Sequence, residues 1–200
     1  METSIDLTKR YTYADYLTWI DDKARELING IIKMMPSPLS EHARISRNLF
    51  RRLDAIVLEN KGRCEVFYAP VDVRLTHTGE TANDKIENVV QPDLFVVCDP
   101  SKIDRRGCCG APDMIVEILS PNSLKRDAHE KFVLYQEAAV GEYWIVNPDA
   151  QTVNTFILNE NGKYDDGKVY ETQDKIPVHI FDNALIDVKD IFEGRKLLNK

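Results

Sequence analysis

The 200-residue sequence lacks any apolar run long enough to cross a bilayer, and its N-terminal stretch METSIDLTKRYTYADY lacks the apolar segment of a secretory signal. These absences predict a cytoplasmic protein that makes no membrane contact. The four cysteines, Cys64, Cys98, Cys108 and Cys109, form no CxxC pair, and the four histidines are scattered, so no zinc site is indicated. Without a secretion signal, the thiols are expected to stay reduced.

An excess of positive charge is also missing, since 26 Lys and Arg residues face 33 Asp and Glu residues and the net charge is −7. This balance disfavours a protein that coats nucleic acid non-specifically, but it is compatible with a nuclease that has a local basic patch. The only basic clusters are RNLFRRL (47–53), DRRG around Arg105 and LKRD around Arg126. Each cluster is interpreted as a solvated face in preference to a binding surface.

The N-terminal part of the sequence has clear local signals. Residues 11–20 predict a short helix capped by Thr12, and 25–35 predict a hairpin that turns at Asn29-Gly30. Residues 37–60 predict a long amphipathic helix, with Ser40 as its cap and Lys61-Gly62 at its end. Its apolar residues recur every three or four positions: Ile45, Leu49, Leu53, Ile56 and Val57.

The middle and C-terminal parts alternate between strand and helix patterns. Strands are predicted at 64–75 (bent or bulged at Pro70), 88–98, 112–119 and 142–148, a helix with a Ser123 cap at 123–140, and a hairpin at 152–171. A charged linker at 76–87 is expected to be mobile, and 176–192 is expected to be short strand or irregular structure packed on the domain. The pattern predicts an α/β fold in which helices flank a central mixed sheet. We expect one domain over 1–200, divided into an N-terminal helix and hairpin (11–36), a core (37–148), and a C-terminal hairpin and tail (149–200).

Two acidic residues interrupt otherwise apolar strands. Glu117 lies within MIVEIL, and Asp93 lies within VVQPDLFVV. A buried carboxylate without a partner costs several kcal/mol, so each acid needs a partner. Sequential strands usually pair, and two close carboxylates repel each other unless they share a proton or a cation. The pattern therefore predicts that Asp93 and Glu117 share a divalent cation, with Mg²⁺ preferred by its affinity for oxygen ligands and Mn²⁺ as a substitute.

The helix after Glu117 supplies candidate cations for a reacting phosphate. Asp127, Lys131 and Tyr135 recur at intervals of four residues and share one helical stripe. Lys131 borders the buried side of this helix, so its ammonium could reach the sheet and stabilise developing negative charge. An ordinary Asp127–Lys131 helix pair explains the same spacing equally well.

The order of these motifs resembles the restriction-endonuclease-like PD-(D/E)XK superfamily. More narrowly, YAPVDVRL, QPDLFVV, APDMIVEILSPNS and RDAHEKFVLYQEAAVGEYWIVNP resemble a bacterial family of endonucleases whose substrates are uncharacterised. The resemblance covers nearly the whole chain, from YTYADYL to about DVKDIF. It implies an αβββαβ core, a nucleic-acid substrate that is expected to be DNA, Mg²⁺-dependent hydrolysis of phosphodiester bonds, and a homodimer.

Carried over by position, Asp93 matches the PD aspartate and Glu117 the (D/E) acid. Leu119 stands where the superfamily usually has lysine, and Lys131 in DAHEK is the matching candidate on the next helix. The resemblance also suggests Glu26 as an extra acid at the metal edge and His42 as a contact to substrate or metal.

Other interpretations of these residues stay open. Glu26 fits a surface hairpin acid equally well, and a packing role at the start of a helix is favoured for His42. Asp72 is a further ligand or a supporting acid if its strand pairs with that of Asp93. Asp113, in the second Pro-Asp pair, lies roughly 13 Å from Glu117 along an extended strand, too far to share an ion.

Two other functions compete with a nuclease. The acidic composition and the displaced lysine keep open a nuclease-fold module that binds nucleic acid or regulates without cutting. A glycosidase-type carboxylate pair is weakly supported, because Trp19 and Trp144 are the only tryptophans and a sugar cleft is usually rich in aromatics.

Overall fold

The structure, a computed structural model, describes residues 5–60, 63–76, 81–120 and 125–194, with only the backbone described for 125–128. Within these residues the α-helices are α1 (Tyr13–Tyr16), α2 (Ser40–Glu59), α3 (Lys125–Glu137) and α4 (Val188–Phe192). The strands are β1 (Arg25–Ile28), β2 (Ile31–Met34), β3 (Glu65–Tyr68), β4 (Asp72–Leu75), β5 (Asn88–Val90), β6 (Leu94–Val97), β7 (Ile103–Asp104), β8 (Gly107–Cys109), β9 (Met114–Ile118), β10 (Glu142–Asn147), β11 (Thr152–Ile157), β12 (Lys168–Tyr170), β13 (Lys175–Val178) and β14 (Ala184–Asp187). No helix in the described part of the chain is long and apolar enough to span a membrane.

The strands form two six-stranded mixed sheets and one two-stranded sheet. The first sheet has the order β2-β1-β5-β4-β8-β7, and only β4 and β8 pair in parallel. The second has the order β12-β11-β10-β9-β6-β3, and only β9 and β10 pair in parallel. The C-terminal tail contributes β13 and β14, which form a hairpin, followed by α4.

Two of the strands expected from the sequence each contribute to both six-stranded sheets. The segment 64–75 divides at Pro70 into β3 of the second sheet and β4 of the first, and 88–98 divides at Pro92 into β5 of the first sheet and β6 of the second. Proline cannot donate to a strand ladder, so pairing stops where the chain crosses. The α/β class is as expected, while the central strands are distributed over two sheets.

The helices cover opposite faces of the second sheet. The predicted apolar stripe of α2 is buried, and it packs on the side of β9 that presents Met114, Val116 and Ile118. The α3 residues Leu134 and Tyr135 belong to the core that includes Ile115. Alternation along β9 therefore places Glu117 on the α3 side.

Several local predictions are confirmed and others are corrected. Asn29 and Gly30 both have positive φ (52° and 74°), as the predicted tight hairpin turn requires. α1 is shorter than predicted, and the Asp15 carboxylate accepts from the Thr12 N–H at 2.9 Å. The Ser40 cap is wrong by one position, because Leu39 precedes the first helical residue and Ser40 is already helical. The predicted helix end at 61–62 and the cap at 123 lie outside the described residues.

The expected mobile linker is partly a packed segment. Ile86 is buried, and its carbonyl accepts from the Tyr13 N–H at 2.8 Å, while the Asn83 carbonyl accepts from the Ala14 N–H at 2.9 Å. Residues 81–87 therefore pack on α1, and 77–80 lie outside the described residues.

The prediction that all four thiols are reduced is wrong for one pair. Cys64 and Cys98 form a disulfide, with their Cα atoms 3.9 Å apart. Glu65 of β3 lies opposite Val97 of β6, so Cys64 and Cys98 occupy the next pair of opposed positions. This pairing of distant strands cannot be read from the spacing of the cysteines in the sequence. Cys108 and Cys109 are free.

Candidate active site

Asp93 and Glu117 come together as predicted, at the edge of the β6–β9 pair. Leu94 lies opposite Val116 in this antiparallel pair, so the register continues to Asp93 opposite Glu117. Side chains opposite each other have Cβ atoms roughly 4.5–5.5 Å apart. The Ile118 N–H donates to Asp93 Oδ2 at 2.7 Å, which fixes the Asp93 carboxylate at the end of β9.

Glu117 meets two side chains of α3. Its Oε1 accepts from Lys131 Nζ at 2.9 Å and from the Tyr135 hydroxyl at 2.6 Å. Burial raises the pKa of Glu117 to about 7, the Asp93 charge adds to the rise, and the Lys131 ammonium opposes it. Lys131 and Tyr135 are one turn apart, so the predicted stripe of α3 faces this carboxylate.

A second carboxylate shares the same ammonium. Glu26 in β1 accepts from Lys131 Nζ at 2.8 Å and from the Gln91 N–H at 2.9 Å, both through Oε1. Glu26 is only 4% exposed, so its interpretation as a surface hairpin acid is wrong. Burial lowers the pKa of Lys131, but the adjacent Glu117 and Glu26 charges outweigh burial and raise it above its ordinary value. Asp127, the competing partner for Lys131, has no described side chain.

His42 also belongs to this cluster. It lies in the first turn of α2, and its Nε2 is 3.1 Å from Asp93 Oδ1. The hydrogen bond to Asp93 raises the pKa of His42 above its ordinary value, and burial opposes the rise. The preferred interpretation as a packing residue is therefore wrong, because His42 contacts the acid of the PD motif.

Asp72 lies outside this cluster, in β4 of the first sheet, and its strand does not pair with β6. Its carboxylate accepts from the Tyr13 hydroxyl at 3.2 Å and from Gln91 Nε2 at 2.9 Å. Gln91 connects it to the site, because the Gln91 backbone N–H holds Glu26. Of the two roles open to Asp72, the geometry favours the supporting acid.

Gln91 was not among the site residues predicted from the sequence. The available signal was its place directly before Pro92 in QPD, where the chain crosses between the two sheets. Asp113 is separate from the site as expected, and its Oδ2 accepts from the Cys98 N–H at 2.7 Å.

The cluster opens into a groove with a volume of about 960 Å³. The groove is lined by the charged residues Glu26, His42, Asp93, Glu117 and Lys131, and also by Arg47, Phe50 and Tyr68. The Asp93 and Glu117 side chains are 15% and 14% exposed, so both carboxylates can be reached from the groove.

The residues fit a hydrated divalent cation. Among the described residues, no group of three or more His, Cys, Asp and Glu side chains is arranged to hold a metal ion. Mg²⁺ is commonly bound through one or two carboxylates and retains several waters. Asp93 and Glu117 provide two such carboxylates, and a cation between them would relieve the repulsion that helps to raise the pKa of Glu117.

Comparison with known proteins agrees with this geometry. Residues 13–189 match the model of the Uma2 family, described as "Putative restriction endonuclease". The chain belongs to this family. The match spans every element that contributes to the site, from β1 to α3.

Two relatives extend the comparison. An uncharacterised protein from Synechocystis sp. is 25% identical over 158 residues, which cover 75% of each chain. A crystal structure from Anabaena variabilis, described as a "putative nuclease belonging to DUF820", superposes with a TM-score of 0.72 at 21% identity. This alignment covers 91% of the present chain and 97% of the other, and it confirms the expected nuclease-like α/β fold.

Proposed function

We propose that this family member is a divalent-metal-dependent endonuclease that hydrolyses phosphodiester bonds of nucleic acid, with DNA as the expected substrate. The observation that carries the proposal is the placement of Asp93 opposite Glu117 at an open groove, with Lys131 2.9 Å from Glu117. A Mg²⁺ ion held by these acids, or Mn²⁺ in its place, would polarise a phosphate and activate a water.

The remaining residues have distinct roles in this proposal. Lys131 offers its ammonium to the negative charge that develops on the phosphate. Glu26 also holds Lys131, through a 2.8 Å hydrogen bond, and Tyr135 orients Glu117 through its 2.6 Å hydrogen bond. His42 holds Asp93 Oδ1 while Ile118 holds Oδ2, so the Asp93 carboxylate has a fixed orientation.

One observation also supports the alternative of a nuclease-fold module that binds nucleic acid or regulates without cutting. Lys131 already contacts the same Oε1 atom of Glu117 that Tyr135 contacts, so a side-chain ammonium compensates this acid in the absence of metal. Such a site can be stable without a metal ion.

The test is cleavage of single- and double-stranded DNA and RNA in Mg²⁺, in Mn²⁺ and in EDTA. We expect cleavage with either metal and none in EDTA. The cleavage rate of Glu117→Gln and of Asp93→Asn should be at least about a hundredfold lower than that of wild type, as is typical when a group that stabilises a transition state is removed. Glu65→Gln, an exposed acid on β3, is the matched control and should cleave normally.

Calorimetric titration of Mg²⁺ and Mn²⁺ completes the test. Wild type should bind metal, and Glu117→Gln should bind much less. If no substrate is cut and wild type binds neither ion, the non-cutting module replaces the nuclease.

A further inference from the structure

A row of arginines lies on the exposed side of α2, and one of them, Arg47, lines the groove. Arg44, Arg47 and Arg51 follow one another at intervals of three and four residues, so they share one stripe of the helix, and all three are exposed. Among the described residues none of the three forms an ion pair, although Arg47 donates to the Asn48 side chain at 3.1 Å. Arg52, which points elsewhere, pairs with Asp190 at 2.8 Å. We call Arg44, Arg47 and Arg51 the basic ridge.

The basic ridge begins close to the acidic cluster. His42 and Arg47 both line the groove, and His42 contacts Asp93. From Arg44 to Arg51 the helix advances roughly 10 Å away from that contact. On a chain with a net charge of −7, this is a local positive surface, and Arg47 connects it to the groove.

An exposed aromatic ring lies at the same groove. Tyr68 is the last residue of β3, an edge strand, and is 56% exposed. It lies opposite Leu94, so it is next to the position of Asp93, and its ring meets the Phe50 ring edge-on with centroids 5.1 Å apart. The Phe50 contact orients the Tyr68 ring, while more than half of the Tyr68 side chain stays available to a ligand.

We propose that the groove binds a single strand of nucleic acid, with the basic ridge contacting its phosphates and Tyr68 stacking on an unpaired base. Proteins that bind single strands combine a positive groove with exposed aromatic rings in this way. A duplex keeps its base faces stacked internally and offers no face to Tyr68. The inference rests on the proposed function and specifies its substrate as unpaired nucleotides next to the cleaved bond.

Binding is best measured without cleavage, by fluorescence anisotropy of the Glu117→Gln protein in EDTA. The probes are a labelled oligodeoxythymidine, a labelled oligouridine and a labelled blunt-ended DNA duplex, so that DNA, RNA and duplex are compared directly. We expect both single strands to bind more tightly than the duplex.

The variants separate the two contacts. Tyr68→Leu should weaken single-strand binding at least about fivefold, whereas Tyr68→Trp should retain it, because stacking needs only an aromatic face. Arg47→Gln should weaken binding and reduce the slope of log K against log salt concentration by about 0.7, because one phosphate contact is lost. Arg52→Gln, on the same helix but engaged with Asp190, is the matched control and should bind normally.

The outcomes distinguish this inference from the proposed function. Binding of the duplex as tight as that of the single strands, or normal binding by Tyr68→Leu and Arg47→Gln, overturns the inference even if wild type cuts DNA in Mg²⁺. Binding that depends on Tyr68 and Arg47 in a protein that cuts no substrate supports the inference and removes the nuclease proposal.

Discussion

At the scale of single residues, the central feature of the site is one ammonium between two carboxylates. Lys131 Nζ is within 2.9 Å of both Glu26 and Glu117, and the three side chains are at most 15% exposed. Removing one partner from a buried ion pair is far more costly than the net benefit of the pair, because the remaining charge stays without compensation. Lys131 should therefore contribute to stability as well as to any chemistry.

Lys131→Met should lower the free energy of unfolding by about 3–5 kcal/mol at pH 8, because Glu26 and Glu117 lose their shared cation. Urea denaturation measures this change. Lys33→Met is the matched control, since Lys33 pairs with Glu130 at 2.8 Å but both side chains are about one-third exposed, and it should cost about 0–1 kcal/mol.

Adding Glu26→Gln and Glu117→Gln to Lys131→Met should restore much of the lost stability, since no charge is then left without a partner. Equal unfolding midpoints for Lys131→Met and Lys33→Met would contradict the shared-cation interpretation.

At the scale of secondary-structure elements, the β1–β2 hairpin carries Glu26 and depends on its turn. Gly30 has φ +74°, and a Cβ at this position would lie 3.1 Å from both Arg10 Cβ and the Tyr11 carbonyl oxygen. The turn is also bound on both sides, because Gly30 N–H donates to the Glu87 carbonyl and Gly30 O accepts from Tyr11 N–H, each at 2.8 Å.

Gly30→Ala should destabilise the protein by more than Gly162→Ala, as measured by thermal melts and urea denaturation. Both glycines have similar positive φ, and the left-handed backbone costs a residue with a Cβ about 1–2 kcal/mol. Only at position 30 does the added Cβ also make close contacts, since nothing lies within 4 Å of a Cβ at Gly162. If both substitutions cost the same, the packing of residues 10–11 against the hairpin turn is not tight.

A buried acid in β10 joins the second sheet to the C-terminal part of the chain. Glu142 is fully buried, and it accepts from the Trp144 indole N–H at 2.8 Å and from the Ile180 backbone N–H at 3.0 Å. Burial raises the pKa of Glu142 above its ordinary value of 4.5, although these hydrogen bonds oppose the rise.

Because its folded-state pKa is raised, Glu142 contributes stability that is fully present below about pH 4.5 and is lost as the pH rises through the folded-state pKa. The free energy of unfolding of wild type minus that of Glu142→Gln should therefore fall as the pH rises from 4.5 towards 8. Urea denaturation across this range tests the prediction, with exposed Glu65→Gln as a control that shows no such trend. A constant difference would mean that Glu142 titrates normally.

Most elements and the two local hairpins were predictable from the sequence, but the division of the central strands between two sheets was not. The apolar stripe of α2 and the turn at Asn29-Gly30 depend on neighbours in sequence, so local patterns revealed them. The division of strands at Pro70 and Pro92 depends on which distant strand pairs with each half. β4 pairs with β5 and β8, whereas β3 pairs with β6. Local periodicity carries no information about these partners.

At the scale of the whole molecule, the site lies where the two large sheets meet. Glu26 belongs to the first sheet, Glu117 to the second, and Lys131 reaches both from α3. The sequence predicted the Asp93–Glu117 pair because both acids interrupt apolar strands. The roles of Glu26, His42 and Gln91 depend on contacts between distant segments, which an isolated sequence pattern cannot specify.

The homodimer implied by the resemblance to endonucleases stays a prediction for the whole chain. Sedimentation equilibrium at micromolar concentration should give twice the chain mass of 22.9 kDa. A mass of one chain over that range would refute it. The measurement should be repeated with a reducing agent, so that a dimer linked through the partly exposed Cys109 is distinguished from a non-covalent one.

The bridge from Glu26 to Lys131 joins residues that are 105 positions apart in the chain. Contacts of such long sequence separation form late in folding, because a large loop must close first. On the ribosome, where the N-terminal part of a chain emerges first, Glu26 and Glu117 are both synthesised before their ammonium partner Lys131. The cluster therefore cannot be completed until α3 has left the ribosome, and a nascent chain truncated before Lys131 carries Glu26 and Glu117 without the cation that balances them.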